Sequence, residues 1–161
     1  MPAVVADTGP LRYLVMIEAI YLLPQLFGRV LVPDIVCGEL NQSSTPLVVR
    51  EWLSSSPPWL ERRSAAPSAS AFPQQLGAGE CAAIGLAHSL GSALLLIDDR
   101  AGITEARARG VEATGTLGVL VRAAQRNLVD LPTAFTRLKA TNFHYRPELL
   151  DALLAQQGVK R

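Results

Sequence analysis

The chain has 161 residues, 49% apolar and 18% charged, which excludes an intrinsically disordered protein and leaves room for one domain (1–161) with a full core. The longest apolar stretch, Tyr13 to Phe27, is interrupted by Glu18 and Pro24, so no segment reads as membrane-spanning and no membrane partner is expected. The net charge of +1 gives no bulk sign of a polyanionic partner.

In chain order, Pro2 to Ala6 is a short apolar run that reads as a buried strand, ending in Asp7-Thr8-Gly9-Pro10 at a helix start. A helical pattern follows over Leu11 to Ile20, with a second short helix over Leu22 to Phe27. Arg29 to Val32 reads as a strand, and Pro33 sits where the first turn of a helix tolerates proline, with Asp34 favourable beside it. Pro46 to Leu53 is predicted helical and Trp59 to Arg62 an edge strand. Ser64 to Gln75, rich in Ser, Ala and Pro, reads as a surface loop. Gly79 to Leu90 is a helix closed by Gly91, and Ala93 to Ile97 is the clearest buried strand. Thr104 to Arg109 is helical up to Gly110, and Val111 to Ala113 is a small strand. Helices over Thr116 to Asn127, Thr133 to Ala140 and Pro147 to Gln157 complete the chain. Short apolar strands alternating with helices predict an α/β domain with a mostly parallel sheet of four to five strands. In such sheets, functional groups gather beyond the carboxyl ends of the strands, where Asp7 and Asp98-Asp99 fall.

Those acids, with Glu39 and Glu80, each lie beside an apolar run, where charge is costly unless something pairs it. With two histidines in the chain, a hard divalent cation bound by oxygen is the natural partner, and such a site hydrolyses phosphodiesters. Structural alternatives stand beside this reading. Asp7 suits a helix N-cap, Glu39 a solvated helix face, and Glu80 the first turn of a helix, whose dipole favours acids. Asp98 and Asp99 are harder to explain structurally. Two carboxylates ~4 Å apart repel by about 4 kcal/mol at an effective dielectric of about 20. Arg100 or a metal ion could relieve that repulsion, and a turn, where Asp is common, is the structural alternative.

The set resembles the PIN-domain family, and in particular the PIN-like ribonuclease toxins of prokaryotic toxin–antitoxin systems. The resemblance rests on five segments in order: Asp7-Thr8-Gly9-Pro10-Leu11, Phe27 through Pro33 to Gly38-Glu39-Leu40, Leu76 to Ala87 with Gly79-Glu80, Leu95-Leu96-Ile97-Asp98-Asp99-Arg100-Ala101, and Thr114-Gly115-Thr116-Leu117-Gly118-Val119-Leu120. It implies a three-layer α/β/α fold and a Mg²⁺- or Mn²⁺-dependent endoribonuclease with Asp7, Glu39 and Glu80 as metal-binding catalytic acids. A fourth acid comes from Asp98 or Asp99, and the choice between them is open. Many family members carry Asp where Glu80 stands. Thr8 and Thr116 are implied as supporting hydroxyls, and Arg100 as a phosphate clamp or an ion-pair partner of the acids. An RNA substrate, a cognate antitoxin and a homodimer are the implied partners, with the apolar Leu11 to Phe27 region as a dimer surface. A scaffold of the same fold that binds RNA or protein without cutting is the alternative.

Setting the five acids aside leaves nine against 15 basic side chains, a remainder of +6, and 13 of the 15 are Arg, whose planar fork suits phosphate. Arg107 and Arg109, and Arg122 and Arg126 at i, i+4, are candidates for the RNA backbone; plain solvation is the alternative for both groups, and a partner's acidic segment for Arg122 and Arg126. His88 sits late in its helix and His144 in a loop, and neither is given a role. Cys37 and Cys81 read as small buried hydrophobes that form neither a disulfide framework nor a zinc spacing. With no basic leader, a reduced cytoplasmic setting is expected.

Overall fold

The computed structural model describes residues 2–64, 72–91 and 93–158. Val4–Ala6 (β1), Val30–Pro33 (β2), Leu60–Arg63 (β3), Leu94–Leu96 (β4) and Glu112–Thr114 (β5) form one all-parallel sheet in the order β3-β2-β1-β4-β5. The sheet turns at its middle: the chain passes from β1 outward to β2 and β3, then returns to β1's other side with β4 and β5. The register sets Val5 opposite both Leu31 and Leu95.

Strand side chains alternate between two cores because the strand period is two. Val4, Ala6, Val30, Val32, Leu94 and Leu96 face one layer of helices. That layer comprises Thr8–Met16 (α1), Leu22–Phe27 (α2), Asp34–Leu40 (α3), Leu47–Ser54 (α4), Thr116–Gln125 (α7), Leu131–Lys139 (α8) and Pro147–Gln156 (α9). Val5, Leu31, Leu95 and Ile97 face the other layer, which Ala78–Ser89 (α5) and Arg100–Ala108 (α6) cover. The expected three-layer α/β/α architecture is therefore present. Burial on both faces explains why β1 and β4 read as continuous apolar runs and not as alternating ones.

Several boundaries differ from expectation. Pro33 closes β2 and precedes α3, rather than occupying that helix's first turn. Helix α1 starts at Thr8 and stops at Met16, four residues short of the predicted end. Ala19 N–H bonds the Leu14 carbonyl (2.7 Å) and Glu18 N–H the Val15 carbonyl (3.0 Å), a Schellman closure with Glu18 at φ +59°. Glycine ordinarily marks that position, so the stop had no visible signal in the sequence. Helix α6 starts at Arg100 instead of Thr104, since Asp99 caps it. The predicted surface loop lies partly outside the described residues, at 65–71.

The apolar Leu11 to Phe27 region divides between core and surface, with Tyr21 among its exposed side chains. Leu11, Leu14, Leu22 and Leu23 are fully buried in the chain's own core. Among the described residues, no helix is long and apolar enough to cross a membrane. The sheet's two outer strands are short and carry charge: Glu61, Arg62 and Arg63 on β3, Glu112 on β5. Arg29 and Arg63 pair with Glu61, and Arg122 with Glu112.

Candidate acidic site

The backbone brings the site together before any side chain is considered. Asp7 follows β1 directly, and its N–H continues the ladder to the Leu96 carbonyl at 2.8 Å, so Asp7 and Asp98 leave adjacent strands side by side. Helix α3 delivers Glu39 and helix α5 delivers Glu80 to the same end of the sheet. Electrostatics record the convergence: Asp7 feels Glu80, Glu39 and Asp98, and Glu80 feels Asp99 and Glu39.

Asp7 is 5% exposed. It stands at the N-cap position of α1, yet its side chain makes no capping bond, and its Oδ1 is buried with no hydrogen-bond partner. The cap explanation therefore fails where it would have to operate. Burial, eased by the Thr8 N–H and reinforced by Glu80, Glu39 and Asp98, pushes the Asp7 carboxyl up to about 7.

Glu39 is not a solvated face residue. The Thr8 hydroxyl donates to its Oε2 at 2.6 Å and the Gly79 N–H to its Oε1 at 3.0 Å, so the first turns of α1 and α5 grip one carboxylate. The Thr45 hydroxyl, itself buried, donates to the Glu39 carbonyl at 2.9 Å and steadies the end of α3.

Glu80 occupies the first turn of α5, where its Oε1 accepts the Gly77 N–H at 3.2 Å. Its Oε2 is buried and receives no hydrogen bond. Burial raises this carboxyl to about 7, with the neighbouring Asp99 carboxyl and Glu39 adding to the rise.

The Asp98–Asp99 repulsion is relieved by neither Arg100 nor a shared turn. The two carboxylates diverge to the starts of different helices. Asp98 takes the Thr116 N–H (2.6 Å) and hydroxyl (2.7 Å) at the head of α7, whereas Asp99 takes the Gly102 N–H (2.9 Å) and caps α6. Burial raises the Asp98 carboxyl and the two Thr116 bonds lower it. Of the pair, Asp98 is the one whose charge reaches Asp7, and Asp99 serves α6 and Glu80. Thr8 and Thr116 are thus positioning hydroxyls that hold carboxylates.

Glycines make the crowding feasible. A Cβ at Gly115 would lie 2.5 Å from Asp98 Oδ1, one at Gly9 3.1 Å from Asp98 Oδ2, and one at Gly79 would collide with the Glu39 carboxylate. Gly79, Gly115 and Thr45 were missed as site components. The Gly-Glu and Thr-Gly-Thr strings of the sequence carried the signal for two of them.

The basic residues divide. Arg100 and Arg107 are exposed on α6 and, with Asp98, line one groove. Arg109 is engaged elsewhere, bonded to Glu105 at 2.6 Å and lying 3.9 Å over the Phe72 ring. Arg122 pairs with Glu112 at 3.6 Å, and Arg126 donates to the Gln25 carbonyl. Burial pushes both thiols up, in keeping with Cys37 and Cys81 as small hydrophobes.

The acids suit a hard cation in their chemistry. Two buried carboxylate oxygens, Asp7 Oδ1 and Glu80 Oε2, have no partner, and the charges that act on Asp7 are all negative. Among the described residues, no three His, Cys, Asp or Glu side chains form a ready-made ligand cluster. None of the curated proteins compared with the chain matches it. A family model described as a PIN domain matches residues 3–158, nearly the whole chain, and on that match, with the all-parallel α/β/α fold beneath it, the chain belongs to the PIN-domain family.

Proposed function

We propose that this chain is a metal-dependent endoribonuclease that hydrolyses RNA phosphodiester bonds, and that it acts as the toxin of a toxin–antitoxin pair. Family membership supports a nuclease, since PIN domains are generally nucleases that use divalent ions. The observation that carries the finer reading is the pair of buried, unpartnered oxygens on Asp7 and Glu80 in a cluster with no internal cation.

Asp7, Glu80 and Asp98, with Glu39, would hold Mg²⁺ or Mn²⁺, which when bound supplies a water of lowered pKa and neutralises charge on the phosphoryl oxygens. Thr116 aims Asp98, and Thr8 with Gly79 aims Glu39, so the carboxylates reach substrate already oriented. Burial of Asp7 keeps bulk water from competing for its free oxygen. Arg100, exposed and without an ion-pair partner among the described residues, is free to meet a phosphate.

The test is cleavage of a mixed structured-RNA pool with Mn²⁺, with EDTA and Glu39→Gln as controls. Cutting that needs the metal and the Glu39 carboxylate is the expected result. A wild type that binds the metal but leaves the RNA intact would transfer the case to a non-cutting scaffold. Gly79→Ala provides a sharper probe. Its Cβ must displace the Glu39 carboxylate, while alanine's helix preference returns about 0.5–1 kcal/mol. Expected is a near-unchanged melting temperature with cleavage reduced at least tenfold; equal activity in the variant would show that Glu39 need not be held there.

A further inference from the structure

A groove of about 590 Å³ opens at Asp98 and runs between α6 and the segment that leads into α9. Arg100 and Arg107 stand on one wall, and His144, Tyr145 and Arg146 on the other, with Asp98 the one acid among the lining residues. The three Arg side chains are exposed and have no carboxylate partner among the described residues. The segment that leads into this wall is tied to α1 at Asn142 and Phe143. Tyr13 and Phe143 meet edge to face at 5.1 Å, the Tyr13 hydroxyl donates to Asn142 Oδ1 at 2.9 Å, and the Phe143 N–H donates to Thr141 Oγ1 at 3.1 Å. Tyr13 belongs to α1, the helix that begins beside Asp7, so groove and acids share one rigid element.

We infer that this groove seats the single-stranded RNA segment flanking the cleaved bond, with Arg100, Arg107 and Arg146 on successive phosphates and Tyr145 and His144 stacking on unpaired bases. The inference rests on the nuclease reading and assigns Tyr145 and Arg146 as substrate-positioning residues. Positive charge in an open channel favours a polyanion, and aromatic faces beside it favour bases that are free to splay, which a duplex does not offer. Asp98 is the one acid of the site that also lines the groove, which makes the groove a place for the strand beside the reacting phosphate.

The test is fluorescence anisotropy of a labelled mixed-sequence RNA 10-mer in EDTA, with a hairpin duplex of the same bases and a Glu-rich peptide as competing probes. Expected for Arg107→Ala/Arg146→Ala is binding at least tenfold weaker and a salt slope reduced by about 1.4, or about 0.7 per phosphate contact. Tyr145→Ala is expected to lose roughly tenfold with an unchanged slope, and Tyr145→Phe to keep wild-type binding. Arg29→Ala/Arg137→Ala, two exposed arginines outside the groove lining, serves as the charge-matched control, and Arg146→Gln replaces the double variant should that fail to fold. No binding by the wild type, groove variants that bind as well as wild type, a duplex bound equally tightly, or groove-dependent capture of the peptide alone would each overturn the inference. Cleavage with Mn²⁺ separates the two readings. Groove-dependent binding without cutting defeats the nuclease and leaves the groove, whereas cutting with unchanged kcat/KM in the groove variants defeats the groove and leaves the nuclease.

Discussion

Asp7→Asn is expected to abolish cleavage and, in the metal-free protein at pH 8, to raise the melting temperature. Both effects have one origin. The Asp7 carboxyl is nearly inaccessible, one of its oxygens is unpartnered, and burial has pushed it up to about 7 from an ordinary 3.8. At pH 8 the folded chain must hold it ionised against Glu80, Glu39 and Asp98, at a cost on the order of 4 kcal/mol for a shift of this size. Asparagine keeps the shape and removes the charge, and gives back about 1–3 kcal/mol for an amide buried without full hydrogen bonding. The net gain of a kcal/mol or more corresponds to a rise of about 2–4 °C per kcal/mol in a chain of this length. Activity should fall at least a hundredfold, since even second-rank supports of metal ligands cost about 10–100-fold. Paired melting curves and cleavage rates check both halves. A variant destabilised at pH 8, or one that still cuts, contradicts the assignment.

The second large effect is the dependence of metal-free stability on pH. Below about pH 4 the Asp7 carboxyl is protonated whether the chain is folded or not, so it favours neither state. Between about pH 4 and pH 7 the unfolded chain releases this proton and the native chain retains it. The native state then binds more protons, and stability falls by up to about 1.4 kcal/mol per pH unit as pH rises through that window. Glu80, raised to about 7 as well, acts in the same direction, with less weight because it is partly exposed to solvent. Divalent metal should reverse the loss. At a hundred times its Kd, an ion adds about 2.7 kcal/mol, or about 5–10 °C in a chain of this size. Mg²⁺ or Mn²⁺ is therefore expected to raise the melting temperature strongly at pH 8 and little at pH 5, where protons occupy the same oxygens. Calorimetry at the two pH values, with and without the ion, checks this. An equal metal shift at both would place the binding elsewhere.

Much of the fold was legible because parallel strands buried on both faces leave an unmistakable mark, as in Leu94-Leu95-Leu96-Ile97. What was not legible depended on partners far along the chain. Thr116, 18 residues away, holds Asp98, while the local Gly102 N–H makes Asp99 a helix cap, and the distant partner is the one the sequence around the pair does not show. Arg109 resembled Arg107 until Glu105 and Phe72 were seen to occupy it. Asn142 to Arg146 looked like a featureless connection because what orders it is Tyr13, well over a hundred residues earlier. The sequence singled out five acids, each near an apolar run, and the Thr8 and Thr116 hydroxyls, whereas the Thr45 hydroxyl, the Gly79 amide and the bare glycines around the carboxylates were not readable.

The charged outer strands have a consequence for self-association. An unguarded strand invites another chain to add alongside it, and lysine, arginine and glutamate at such margins discourage this. Here β3 carries the Glu61 pairs with Arg29 and Arg63 on one margin, and β5 carries Glu112 with Arg122 on the other. Both are brief, at four and three residues. Two copies of this protein should therefore not meet by prolonging a common sheet. Any pairing between them is expected through surface other than these two charged strands, which leaves the sheet's hydrogen-bond ladder within one copy.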